Sequence, residues 1–184
     1  VGRLQGAVSR TVPPYVDLFP TMQHKPYNSA GPGFLGPQYA QIKADGEDLA
    51  SMKLRFISPE EFKSRRALLA GLDRFRREVD NLEVAKMENA YQSAFEVLTS
   101  SALVEAMDIE REDQRVRERY GQGSAKHQGD GAPLWNEQLL MARRLVEAGV
   151  RVVTVGFGFW DTHGQNFKHL KKNLPQFDTA ISAL

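Results

Sequence analysis

The stretch VRVVTVGFGFWDTHGQN, from Val150 to Asn166, decides how the rest of the chain is interpreted. Between Val150 and Trp160 the single charged side chain is Arg151, and such an apolar run is typical of a strand covered on both faces. We therefore predict a central parallel strand over Val150–Trp160. Asp161 and His163 follow at its carboxyl end, where ligands and reacting groups gather in open α/β sheets. This strand end is the candidate functional site.

The segments on either side of this stretch predict helices. Pro133–Ala148 repeats apolar side chains on one helix face and is followed by Gly149, so a helix runs directly into the strand. A helix followed by a buried strand is half of a βαβ unit, which requires an earlier parallel strand that the sequence does not reveal. After the strand, apolar residues at helical spacing predict a further helix: Leu170, Leu174, Phe177, Ile181 and Leu184.

The chain divides into three predicted segments. Residues 1–57 are rich in Pro and Gly, which interrupt helical and strand periods, so they are predicted to be irregular chain packed on the core. Residues 58–132 are predicted to form a helical subdomain that ends in a flexible loop, and residues 133–184 to form an α/β core segment. The fold class predicted for the whole is α/β.

Within the helical subdomain, the clearest helix begins at Ser58, where a serine N-cap is followed by a proline and a capping-box glutamate. A second helix is predicted over Met87–Leu98, and a short third from Ser100 or Ser101 to Met107. The charge run Asp108–Gly121 alternates both signs and is predicted to be a solvated face. His127, in the loop that follows, is predicted to be exposed.

Composition excludes several function classes. The 24 basic and 23 acidic residues leave a formal charge of +1, so no global field favours nucleic acid or an anionic membrane. The chain has no cysteine, which excludes disulfides, thiolate nucleophiles and cysteine-ligated zinc. No stretch approaches the roughly 20 apolar residues of a membrane span. The initial VGRLQGAVSR lacks the apolar core of a signal peptide.

Several separate motifs carry a resemblance to a known family. LLMARRLVEAGVRVVTVGFGFWDTHGQNF, with LPQFDTAISAL after it and GPGFLGPQY and RERYG before it, resembles the bacterial family called domain of unknown function 1501. Members are often labelled sulfatase-like and placed in the alkaline phosphatase-like superfamily. The resemblance implies a doubly wound α/β fold, export to the periplasm through a twin-arginine signal, and a longer protein of which this chain is an internal fragment.

The same resemblance implies a role for the WDTH motif. Related enzymes place an acid and a histidine after such a strand, where both bind a divalent metal, and the matching residues here are Asp161 and His163. Zinc, manganese or calcium is the implied ion, with Thr162 and Asn166 as outer residues that orient the ligands. The enzymes commonly use a longer spacing, which here would fall on Gln165.

An alternative interpretation of this motif is purely structural. Asp161 and Thr162 would cap the following helix, and His163 would hydrogen-bond a backbone carbonyl. Trp160 is interpreted as a packing residue rather than a substrate platform. Gly156 and Gly158 lie inside the predicted strand, so they indicate close backbone packing rather than a phosphate-binding loop.

Two functions follow as hypotheses. The first is an exported metal-dependent hydrolase of phosphate or sulfate esters, acting on a small ester with a nucleophile from outside this chain. The second is a non-catalytic exported binding or scaffold protein that retains the fold. Fold-level analogy does not decide between them.

Overall fold

The computed structural model describes residues 1–9, 11–36, 39–44 and 101–184. Three parallel strands and five helices are described, in the order α1 (Gly2–Gln5), β1 (Tyr15–Asp17), β2 (Ile42–Lys43), α2 (Ser101–Met107), α3 (Gln114–Tyr120), α4 (Glu137–Glu147), β3 (Val152–Thr154) and α5 (Asn166–Ala183). Short 3-10 turns lie at Lys25–Tyr27, Gly33–Leu35 and Ile109–Arg111. The helices predicted over Ser58–Val79 and Met87–Leu98 fall outside the described residues.

The strands form a small sheet in the order β2-β1-β3, with both pairs parallel. Val16 of β1 lies between Ile42 of β2 and Val153 of β3. Strand β1 is therefore the parallel partner that the helix α4 and strand β3 require. This arrangement confirms a mixed α/β fold.

The two strands β1 and β2 correct the prediction that residues 1–57 are irregular. The sequence does not predict β1 because prolines, which are rare inside sheets, flank it: Pro14 precedes the strand and Pro20 follows it. Pro14 nevertheless joins the ladder through its carbonyl, which accepts a hydrogen bond from the Val152 N–H at 3.1 Å. A proline lacks only the donor, so it can sit at a strand end and still extend the pairing.

The strand predicted over Val150–Trp160 is shorter than expected, and it lies at the edge of the described sheet rather than at its centre. Only Val152–Thr154 pairs with β1. Beyond it the backbone turns to another partner: the Gly158 N–H bonds the Pro133 carbonyl at 2.9 Å, and Gly158 accepts from Ala132 at 2.9 Å. Among the described residues, the part of the apolar run after Thr154 is therefore covered by the loop before α4 rather than by another strand.

The main core lies between this sheet and the helices α2 and α4. Val16, Leu18, Leu145 and Val150 are almost completely buried, and Leu103 of α2 joins them. Helix α4 occupies most of the predicted Pro133–Ala148 segment and packs against β3 as expected. Gly149, with a φ of 107°, makes the sharp turn between them. The short helix predicted at Ser101 is also confirmed.

Helix α5 completes the described fold by packing on α3 and α4. A second cluster joins Tyr120, Leu139, Leu140 and Ala180, all buried. The side-chain amide of Asn136 connects this cluster's elements, because it donates to the carbonyls of Tyr120 (2.7 Å) and Gln176 (3.3 Å). Among the described helices, none has the length and apolar character needed to cross a membrane.

Most charged side chains of Asp108–Gly121 are exposed, as the sequence predicts, but Glu112 is an exception. Glu112 is mostly buried, and one of its carboxylate oxygens accepts from Arg143 at 2.6 Å and from Arg144 at 2.7 Å. The hydrogen bond from Arg144 lowers the pKa of the Glu112 carboxyl, and the nearby charge of Arg143 adds to this effect against the opposing cost of burial. This ion cluster fastens the turn before α3 to helix α4.

Candidate functional site at the carboxyl edge of the sheet

A pocket lies where the chain leaves the parallel strands. Because β1 and β3 run in the same direction, their following segments emerge at the same edge of the sheet. These segments and the loop before α4 line an open pocket of about 480 Å³. It is lined by Phe19, Met22 and Tyr27 after β1, Asp130, Gly131 and Ala132 in the loop, and residues 155–161 after β3.

Glycines allow the segments around this pocket to approach one another closely. A Cβ atom at Gly156 would lie 3.0 Å from the Phe19 ring and from Pro20, and one at Gly131 would lie 2.5 Å from Phe159. Gly158 has a φ of 70°, a conformation that side chains disfavour. The prediction that Gly156 and Gly158 serve close packing is confirmed.

Asp17, at the end of β1, is fully buried, and its carboxylate accepts hydrogen bonds from several segments at this edge of the sheet. One carboxylate oxygen accepts hydrogen bonds from the Phe19 N–H at 3.0 Å and from the Thr154 hydroxyl at 2.5 Å. The other accepts from the Ser29 hydroxyl. The carboxylate therefore ties β1, β3 and the loop after β1 together. Sequence reasoning missed it, because its position at a strand end becomes visible only once β1 is recognised.

The two predicted metal ligands lie next to one another on the outer rim. Asp161 lines the pocket, and His163 Nε2 lies 3.2 Å from Asp161 Oδ2. Both side chains are largely exposed, at 60% and 84%. Within the part of the chain that the structure describes, no group of three His, Cys, Asp or Glu side chains is close enough to hold a metal ion. The structure thus brings two candidate ligands together without a third.

The two predicted outer residues are bonded to one another. Thr162 Oγ1 donates to the side-chain oxygen of Asn166 at 2.9 Å, so this contact links the WDTH loop to the first turn of α5. The helix-cap interpretation is wrong for this motif. The N-cap of α5 is Gln165, which has a left-handed conformation and no capping side-chain bond. The positive φ of Gln165, two residues after His163, marks a sharp turn at the start of α5.

Trp160 is fixed at the entrance of the pocket. Its indole N–H donates to the Phe157 carbonyl at 2.5 Å, and its ring contacts Phe177 edge-on at 5.9 Å between centroids. It packs as predicted, yet 44% of the residue stays exposed. The backbone beside it is held by Asn173 of α5, which donates to the Phe159 carbonyl at 3.3 Å.

His127 was predicted to be exposed, and the structure corrects this. The residue is half-buried, and its Nδ1 lies 3.1 Å from the carbonyl oxygen of Gly131. The imidazole therefore braces the loop that carries Asp130 and Gly131 into the pocket wall. His127 Nδ1 therefore makes a structural contact with the backbone of this loop.

The fold and this strand-edge site define a mixed α/β protein with a pocket at the carboxyl ends of its strands. Over residues 1–184 the sequence matches the family model described as protein of unknown function (DUF1501), and the chain belongs to that family. Comparison with curated proteins gave no match, and comparison with solved structures gave none either.

Proposed function

We propose that this chain is part of an exported, metal-dependent hydrolase of phosphate or sulfate esters with an alkaline phosphatase-like, doubly wound fold. The observation that carries the proposal is the position of Asp161 and His163. His163 Nε2 and Asp161 Oδ2 lie 3.2 Å apart, and both side chains are exposed in the segment that follows β3, beside the pocket. A carboxylate and an imidazole so placed can both turn toward one cation without disturbing the core.

The chemistry of these donors fits a divalent ion. Carboxylate oxygen and imidazole nitrogen suit zinc and manganese, while calcium would rely on the carboxylate alone. A bound ion of this kind supplies a Lewis acid that polarises the ester and stabilises its leaving oxygen. The chain's own contribution is to hold Asp161 and His163 on a short loop braced by the bond between Thr162 and Asn166.

Two ligands are too few for a catalytic zinc, which takes at least three from protein. We therefore propose that the remaining ligands and the nucleophile come from residues outside those described. Export of the whole protein, implied by the family resemblance, belongs to the same proposal.

The test compares the full-length protein with two ligand variants. Asp161→Asn and His163→Ala are each expected to lower the bound metal, measured by elemental analysis, and the hydrolysis of p-nitrophenyl phosphate or sulfate by about tenfold or more. His169→Ala is the matched control, because His169 is an exposed histidine on α5. Equal metal content in all four proteins would overturn the proposal.

A second candidate function is ligand binding without catalysis. The observation that favours it is the character of the pocket, whose walls are mainly apolar and aromatic. A full-length protein that binds a small molecule at this edge, contains no metal and hydrolyses none of the test esters would establish this alternative.

A further inference from the structure

The pocket at the carboxyl edge combines aromatic walls with acidic groups. Five of its described lining residues carry aromatic rings: Phe19, Tyr27, Phe157, Phe159 and Trp160. The charged side chains among the described lining residues are Asp130 and Asp161, both exposed, and no Lys, Arg or His is among them. The described part of the pocket is therefore rich in π faces and negative charge.

This composition selects among ligand chemistries. In the absence of a bound metal ion, an anionic group would meet two carboxylates and the negative faces of aromatic rings, so both features disfavour it. A neutral apolar group would fit the walls but would gain nothing from the carboxylates. An organic cation is favoured by both, because aromatic faces attract cations and carboxylates neutralise their charge. Quaternary ammonium groups are the ligands that such aromatic sites recognise.

Trp160, one of the two exposed aromatic residues of the pocket wall, is already held in place before any ligand binds. The N–H of Trp160 donates to the Phe157 carbonyl, and its ring makes a T-shaped contact with the Phe177 ring. Binding at its exposed surface therefore orders little additional side chain, which lowers the entropic cost of association. The buried Asn173 amide fixes the Phe159 backbone beside it in the same way.

We propose that this pocket binds an organic cation of the trimethylammonium class. The cation lies against Trp160 and near Asp130, and its binding requires neither a metal ion nor ester hydrolysis. A pocket of about 480 Å³ is within the range of small-molecule sites. Asp161 borders both this pocket and the proposed metal site, so Asp130 is the acid that reports on the pocket alone.

The experiment compares choline with its uncharged isostere 3,3-dimethyl-1-butanol by isothermal titration calorimetry, in buffer with EDTA. Choline is expected to bind with a dissociation constant of about 1 mM, at least about tenfold more tightly than the isostere. Trp160→Ala and Asp130→Asn should each weaken choline binding several-fold. Trp135→Phe should leave it unchanged, because Trp135 is not among the pocket residues.

The charge of the ligand and the fold of the variants decide the interpretation. Equal binding of choline and the isostere would show an ordinary apolar pocket and overturn the proposal, as would the absence of saturable choline binding. Circular dichroism confirms that each variant is folded. If Trp160→Ala fails to fold, Asp130→Asn alone decides, because Asp130 is exposed, and unchanged choline affinity in that variant contradicts the proposal. If the purified full-length protein contains no bound metal but binds choline, the hydrolase proposal fails and the cation-site proposal stands.

Discussion

At the scale of single residues, the edge of the sheet depends on a buried carboxylate. Asp17 is fully buried and accepts from one backbone N–H and two hydroxyl groups. A buried carboxylate is costly unless its lone pairs are satisfied, and here three donors from different segments satisfy them. Asp17 thus holds β1, β3 and the loop after β1 together beside the pocket.

Asp17→Asn is expected to destabilise the fold by about 1–3 kcal/mol, because the amide group places a donor where the carboxylate accepts hydrogen bonds. Urea unfolding followed by circular dichroism measures the change. Asp130→Asn serves as the control, since Asp130 is exposed and its change should stay within about 0.5 kcal/mol. Equal unfolding midpoints for both variants would show that Asp17 does not anchor the sheet edge.

A second residue-scale prediction concerns the contact of Gly156 with Phe19. Gly156→Ala is expected to cost about 1–3 kcal/mol, because the new methyl group would press on the Phe19 ring and on Pro20. Gly164→Ala is the matched control, since a Cβ at Gly164 meets nothing within 4 Å. The same unfolding measurement applies to both. An unchanged free energy of unfolding for Gly156→Ala would contradict the prediction and show that Phe19 and Pro20 move aside at little cost.

At the scale of elements, the cluster of Glu112, Arg143 and Arg144 joins the turn before α3 to helix α4. Arg144 also donates to the backbone carbonyls of Ala106 (3.0 Å) and Glu105 (2.7 Å) at the end of α2. One arginine therefore connects three helical elements through charge-assisted hydrogen bonds. Glu112 supplies the negative charge that keeps two neighbouring arginines together.

This cluster predicts a pH dependence of stability. The folded pKa of Glu112 is lowered by the hydrogen bond from Arg144, so its contribution is full above the unfolded pKa and is lost as pH falls through the folded pKa. Glu112→Gln should cost about 1–2 kcal/mol near pH 7 and progressively less as pH falls below the unfolded pKa. Chemical unfolding at several pH values measures it, with exposed Glu118→Gln as control. A cost independent of pH would contradict the assignment.

The helices of this chain are easier to predict from its sequence than the strands are. Helices α2, α4 and α5 were predictable because their apolar residues recur at helical spacing, and that period survives in the packing. Strand β1 was not predictable, because a strand of three residues flanked by prolines is too short to show the alternation of apolar and polar residues. The sequence predicts too long a strand at β3. An apolar run can be buried by a loop as well as by neighbouring strands, and here the residues after Thr154 bond to the loop before α4.

At the scale of the whole molecule, the candidate site was predictable only in its local part. The adjacency of Asp161 and His163 follows from two positions separated by one residue in a turn. The pocket beside them is assembled from Phe19, Asp130 and Trp160, which are distant in sequence and meet only through the sheet. No local pattern announces such an assembly, since it depends on which strands pair.

We propose that a divalent metal binds between Asp161 and His163 at the carboxyl edge of the sheet. The most direct measurement is anomalous X-ray diffraction from crystals of the full-length protein grown with manganese. We expect a strong anomalous peak about 2.0–2.2 Å from a carboxylate oxygen of Asp161 and an imidazole nitrogen of His163. A manganese peak elsewhere, or none while these two side chains contact only each other, would contradict it.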